Sequence, residues 1–283
     1  MGTLATYLSF VRFSHSVFAL PFAFTGALLA WRVAPFSWTQ VAWIAACMVS
    51  ARSAAMGFNR LVDARFDALN PRTAMRELPR GALTPRQALV FVVAAAAAFV
   101  FCSWRLNPVC GWLSPVALAI VGWYSLAKRV TTYTQFFLGL AMAVAPVGGW
   151  LAAGGGRAAE PWWLALAIGL WVGGFDILYA CQDVDFDRAH GLHSIPARYG
   201  VSRAIHLSRL LHVCTIAAMA MVGVTADLPP VYFAGVVVVA VLLWYEQSLV
   251  AAGDLSQVKR AFDLNGYVGL VYFMATALAL YLG

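Results

Sequence analysis

The chain has 283 residues, of which 62% are hydrophobic and only 11% charged, with a mean hydropathy of +0.77. A soluble domain carries about twice that charged fraction, so a soluble enzyme or binding module is excluded. The formal charge of +7 does not point to nucleic acid either: the basic residues fall in short segments between apolar runs, the pattern of membrane topology and of a small polyanionic substrate.

Apolar runs of ~20 residues, long enough to cross a bilayer core, recur along the whole chain. The expected fold is all-α and polytopic: nine transmembrane helices at about 14–32, 39–60, 86–105, 108–127, 133–153, 162–182, 207–226, 230–250 and 264–282. Residues 1–13, with Tyr7, Phe10, Arg12 and Phe13, suit a short interfacial helix. The first run starts from one Arg and is followed by further spans, which is not the pattern of a secretory signal. The five cysteines (47, 102, 110, 181 and 214) form no C-x-x-C and read as small reduced core residues.

Placing the N-terminus in the cytoplasm puts fifteen of the 19 Lys and Arg residues on that side, and leaves Arg32, Arg105 and Arg157 outside and Arg52 within a span. That is a strong positive-inside signal. The expected location is the inner membrane of a bacterium, with the acidic face described next in the cytoplasm. The chain reads as a single domain over 1–283, built from two four-helix halves plus a ninth helix. Pro21 and Pro146 fall at matching places in the two halves. Two polar loops, about 61–85 and 183–206, would cap a membrane cavity.

Span 2 closes on Asn59, Asp63 and Asp67, spaced i, i+4, i+8 and so on one helical face. Span 4 closes on Tyr124 and Lys128, again one turn apart. Span 6 carries a small-residue face at Gly169, Gly173 and Gly174 and closes on Asp183 and Asp187. Carboxylates near a bilayer are costly and mark function. Four of them at one membrane face suit Mg²⁺, which takes oxygen ligands and shares itself between one or two carboxylates and substrate phosphates. Asn59 adds a neutral oxygen. Arg72, Arg76, Arg80, Arg198 and Lys128 with Tyr124 are the candidate partners of a diphosphate. Seven residues before each acidic group stands a buried charge, Arg52 and Asp176. They read either as a structural ion pair or as an acceptor pocket, with Arg52 on a carboxylate and Asp176 on a hydroxyl or proton. Asp187, His190 and His193 also have a spacing that could suit Zn²⁺, although phosphate contacts or loop roles fit the surroundings better.

These three motifs, in this order and spacing, resemble those of the UbiA superfamily of intramembrane prenyltransferases, and the resemblance covers nearly the whole chain. One departure is Arg60, where many members have Asp, so a metal role at that position is in doubt. The segments 59–81 and 176–200 look most like the 4-hydroxybenzoate polyprenyltransferase branch, and within it like bacterial proteins of the futalosine route to menaquinone. The resemblance implies Mg²⁺, a polyprenyl diphosphate donor and an aromatic acid acceptor, either 4-hydroxybenzoate or 1,4-dihydroxy-6-naphthoate. With it, metal binding is expected at Asn59, Asp63, Asp67, Asp183 and Asp187 and diphosphate binding at Arg72, Tyr124, Lys128 and Arg198; in the acceptor-pocket reading of Arg52 and Asp176, Asp176 is the candidate base. The polyprenyl tail would leave sideways into lipid, with the lipid bilayer as the surrounding partner. Two other readings stay open from the residues alone. A secondary transporter of an anionic metabolite would suit the repeated halves. A CDP-alcohol phosphotransferase would suit several Asp on helices, but Asp63-Ala64-Arg65 lacks that family's glycine.

Overall fold

The computed structural model describes residues 3–11 and 20–283. The start of the expected first span lies outside the described residues. Twelve helices follow in order: α1 (Thr3–Phe10), α2 (Leu20–Ala30), α3 (Trp38–Leu69), α4 (Pro85–Leu106), α5 (Pro108–Ala127), α6 (Thr134–Ala152), α7 (Glu160–Ala180), α8 (Val184–Ala189), α9 (Ile195–Tyr199), α10 (Val201–Thr225), α11 (Pro230–Ser248) and α12 (Val258–Leu282). A single 3₁₀ turn, Cys181–Asp183, joins α7 to α8. Eight of these helices are long and apolar enough to cross a membrane, and α2 is a shorter apolar helix. The expected count of nine therefore rests on α2, of which eleven residues are described.

The helix boundaries follow local chemistry. Thr84 caps α4 in a capping box with Gln87, and Pro85 sits at its first turn. Asn107 caps α5 through Cys110 N–H and is followed by Pro108. α3 runs nine residues further than the expected end at 60, because nothing breaks it before Asn70-Pro71. The first cap is therefore the shorter loop 70–84. The second is mostly ordered: α8 and α9 lie within it, and α10 begins at Val201, after Gly200 at φ 88°.

In space the helices form a closed ring. Each of α2 to α6 packs on the next, α7 packs on α10, then α11 and α12 follow, and α12 returns to α2. The ring is tightened where backbones approach closely: a Cβ at Gly149 would meet the Ala23 carbonyl oxygen, and one at Gly139 the Gly169 carbonyl oxygen. The acidic groups, the two caps, and the junctions α5–α6 and α11–α12 all lie at one end. From the largest buried cluster, which includes Phe22 and Tyr272, the residues Trp171, Val172 and Phe175 line a chamber below that end.

Candidate active site

The site is built from the C-terminal ends of α3, α5 and α7 and from the two caps. On α3, Asp63 and Asp67 are buried, at 3% and 7% exposure. They tolerate burial because basic side chains reach them from other segments. Asp63 receives Lys128 Nζ at 2.7 Å on Oδ2 and Arg129 Nη2 at 2.7 Å on Oδ1. Asn59 adds a long donor contact of 3.4 Å to Asp63 Oδ2. Asp67 receives Arg76 Nη1 at 2.8 Å on each oxygen.

At the end of α7, Asp183 takes a two-point grip from Arg72, with Nη2 to Oδ2 at 2.7 Å and Nε to Oδ1 at 3.3 Å. Arg72 also donates to the Tyr179 hydroxyl at 3.2 Å. Asp187 accepts from Ser194 Oγ at 2.9 Å. The two halves meet through shared segments. The loop 70–84 sends Arg76 to α3 and Arg72 to α7. Lys128 pairs with Asp63 through its side chain, while its carbonyl accepts the His193 N–H at 2.8 Å.

Below these pairs lies a cavity of about 320 Å³. Asn59, Arg60, Arg76 and Tyr179 line its polar end. Arg52, Tyr124 and Asp176 line its interior together with Trp171, Phe175 and Phe262. The aromatic wall is continuous: Trp171 stands edge-on to Phe175 at 5.2 Å, Phe175 to Phe262 at 5.6 Å, and Phe262 lies 4.8 Å from Tyr179. Trp171 is fixed from behind by its Nε1–H bond to Asn265 Oδ1 at 2.7 Å.

Asn59, Asp63, Asp67, Arg72, Tyr124, Lys128, Asp176, Asp183, Asp187 and Arg52 thus gather at the mouth or in the chamber. Three further sequence readings meet the structure as follows. Arg198 is exposed on α9, lines neither the chamber nor an acid pair, and Arg80 is likewise exposed on its loop. Arg52 and Asp176 do not form an ion pair; the Arg52 Nε is buried with no hydrogen-bond partner among the described residues. His190 and His193 do not build a zinc site with Asp187: His190 stacks on Phe186, and no three His, Cys, Asp or Glu side chains among the described residues are grouped to hold a metal. Sequence reasoning also passed over Arg129, Ser194, and the buried Arg60–Glu77 pair at 3.2 Å, which ties the loop to α3. Arg129 was legible only as the neighbour of Lys128.

The chemistry of the donor set suits Mg²⁺, although the protein acids alone, among the described residues, are not grouped around one point. The set is all oxygen, and each acid is held by a cation or hydroxyl rather than by another acid. That is the arrangement expected where the metal is completed by substrate phosphates instead of by a protein cage.

Residues 19–277 match the UbiA prenyltransferase family. A 4-hydroxybenzoate octaprenyltransferase from Tolumonas auensis is 32% identical over 228 residues, covering 81% of this chain and 79% of that protein. One from Edwardsiella ictaluri is 33% identical over 230 residues, with the same coverage of each chain. Among solved structures, the apo UbiA homologue from Aeropyrum pernix K1 superposes with a TM-score of 0.86 at 33% identity, covering 94% of this chain and 98% of that one. A UbiA homologue from Archaeoglobus fulgidus bound to GPP and Mg²⁺ shares the fold at a TM-score of 0.69 and 18% identity, covering 96% and 99%.

Proposed function

This chain belongs to the UbiA prenyltransferase family, and we propose that it transfers a polyprenyl group from a polyprenyl diphosphate to the ring of an aromatic acid, with Mg²⁺. The observation that carries this reading is the meeting of four carboxylates and four basic side chains at one mouth, above a chamber walled by aromatic rings. Transport of an anionic metabolite needs a site near the midplane, and this polar site is at the end of the bundle. The acceptor named for the curated relatives supports 4-hydroxybenzoate; the larger 1,4-dihydroxy-6-naphthoate is the alternative the same assay reads.

Asp63, Asp67, Asp183 and Asp187, with Asn59, would hold Mg²⁺, whose positive charge would neutralise the diphosphate leaving group. Arg72, Arg76, Lys128 and Arg129, beside those acids, would grip phosphate oxygens, as forks in the case of Arg and as a point charge in the case of Lys. The chamber rings offer π faces to an allylic cation and keep out the water that would quench it. Arg52 receives the acceptor carboxylate on its unpartnered side. Asp176, across the same chamber, takes the proton the ring loses. The positive-inside count supports a cytoplasmic mouth.

The test is mass spectrometry of products from the purified protein offered both aromatic acids with one polyprenyl diphosphate and Mg²⁺. The proposal expects a prenylated acid and one equivalent of diphosphate. Neither product formed from either acid would overturn it.

A further inference from the structure

Four buried polar side chains stand behind the chamber wall, and none of them lines the chamber: Ser208 and His212 on α10, Gln247 on α11 and Asn265 on α12. Their hydrogen bonds converge on α7. Ser208 Oγ donates to the Gly174 carbonyl oxygen at 2.7 Å, and His212 Nε2 stands 3.3 Å from the Trp171 carbonyl oxygen. Gln247 holds both partners from α11: its Nε2 donates to Ser208 Oγ at 2.8 Å and to His212 Nδ1 at 3.0 Å. Asn265 holds the Trp171 indole from α12. The direction of each bond follows from the groups present. An amide nitrogen only donates, so His212 Nδ1 accepts and Nε2 carries the ring hydrogen toward the carbonyl. Ser208 gives its one hydrogen to Gly174 and so accepts from Gln247.

The face that α7 turns toward α6 is smooth. A Cβ at Gly169 would come no nearer than 3.6 Å to a packed neighbour there, and one at Gly173 no nearer than 3.7 Å. Between apolar helices in lipid no hydrophobic force selects one register, whereas hydrogen bonds across helices do. The α10 side of α7 supplies them. Gly174 has a part in this: a Cβ there would meet the His212 ring at 2.5 Å, so the glycine admits that ring to the α7 backbone.

We propose that Gln247, Ser208 and His212 are positioning residues: together they set the register of α7 and so hold Asp176 and Trp171 in place at the chamber. The inference rests on the prenyl-transfer reading above, in which Asp176 takes the ring proton and Trp171 belongs to the wall around the allylic cation. Trp171 carries one braced carbonyl, and Asp176 lies two residues beyond the other, about 3 Å along the helix. A slip of one residue would move Asp176 by about 1.5 Å and turn it by about 100°. A misplacement of that size can cost about a hundredfold in rate. The cations offered to the diphosphate, Arg72, Arg76, Lys128 and Arg129, all lie outside α7. Loss of the brace is therefore expected to spare ionisation of the donor and to uncouple it from capture by the acid.

The experiment follows how an allylic diphosphate is divided between prenylated acid and free prenyl alcohol, with Mg²⁺ and whichever of the two aromatic acids the wild type prenylates. It compares the wild type, Ser208→Ala, and the triple variant Gln247→Leu, Ser208→Ala, His212→Leu. The triple variant removes the buried donors and acceptors together, so none of them is left unsatisfied and stability should be nearly kept. Its thermal midpoint in detergent is expected to match the wild type, while kcat/KM for the acid falls about tenfold and the alcohol share rises several-fold. Ser208→Ala removes one pin and is expected to shift the partition the same way, but less. Wild-type kcat/KM and partition in the triple variant overturn the inference. Hydrogen exchange of the α7 amides needs no turnover and gives a second reading. Exchange over 169–178 is expected to quicken in the triple variant, and exchange equal to the wild type overturns the brace. A wild type that releases no diphosphate defeats the prenyl-transfer reading instead, and the exchange comparison still decides whether the brace fixes α7.

Discussion

The Arg72 guanidinium lies along both carboxylate oxygens of Asp183, at 2.7 and 3.3 Å, and so fastens the loop after α3 to the end of α7. Residues 111 positions apart are joined by the two groups that the proposed reaction needs most, a phosphate-gripping cation and a metal-holding acid. In this form they satisfy each other; the reaction requires them to exchange partners.

Arg72→Ala should therefore weaken the donor specifically. Arg72 is 37% exposed at its side chain, and partly exposed pairs contribute little to stability, so the fold should persist. KM for the polyprenyl diphosphate should rise about tenfold, equivalent to roughly 1.4 kcal/mol. Arg72→Lys should recover only part, because the planar fork is lost. Steady-state kinetics with each substrate varied in turn reads this. A rise in acceptor KM of equal size would place Arg72 outside the diphosphate site.

Arg52→Ala should do the reverse. With its Nε buried and unpartnered and no acid paired to it, Arg52 has charge to offer a carboxylate in the chamber. Losing a charge-assisted hydrogen bond costs about 1.5–3 kcal/mol, so acceptor KM should rise roughly ten- to a hundredfold, with donor KM changing less than about threefold. An aromatic acceptor analogue lacking the carboxylate should show no difference between wild type and variant. If it does, Arg52 serves the structure rather than the acid.

Much of this site was legible in the sequence, and what was missed has a physical pattern. Asn59, Asp63 and Asp67 could be placed on one face because a helix fixes i, i+4 neighbours; the same spacing should have extended the helix to Leu69. Spacing within one helix says nothing about what arrives from another segment. Arg129 therefore counted only toward topology, although it reaches Asp63 from the α5–α6 junction at 2.7 Å. Arg60 stood out as a departure from the family pattern, and spacing alone did not show that Glu77, 17 residues on across a turn, pairs with it. Matching positions in two halves left Arg52 and Asp176 open between an ion pair and an acceptor pocket. The structure places both at the chamber wall without an ion pair between them. Which aromatic residues face the cavity could not be read at all, since Trp171, Tyr179 and Phe262 converge only when α12 closes against α7.

Phe262→Ala should open that wall. Its ring touches Phe175 and Tyr179 and borders the chamber. Removing it should admit water to the allylic cation. The fraction of donor ending as free prenyl alcohol should rise several-fold while diphosphate release falls by no more than about tenfold, the span of one cation–π contact. Chromatography of the isoprenoid products checks the partition. An unchanged alcohol fraction would remove Phe262 from the shielding wall.

Gly149→Ala and Gly148→Ala should differ in stability although they are adjacent. The first drives a methyl group against the Ala23 carbonyl oxygen between α2 and α6, whereas the second meets open space. Overpacking of this kind costs about 1–3 kcal/mol. Thermal unfolding in detergent should show a lowered midpoint for Gly149→Ala and none for Gly148→Ala. Equal midpoints would mean that α2 does not pack on α6 as described.

The measurement closest to the central claim is Mg²⁺-dependent diphosphate release by the wild type, Asp63→Ala and Asp183→Ala, with insertion confirmed by size-exclusion elution in detergent. One acid belongs to each half, and the account requires both to act on one substrate through shared metal. Release by the wild type should cease with chelator and return with Mg²⁺, and each variant should lose turnover at every Mg²⁺ concentration while eluting as the wild type does. Full turnover in either variant, or release indifferent to Mg²⁺, would contradict it.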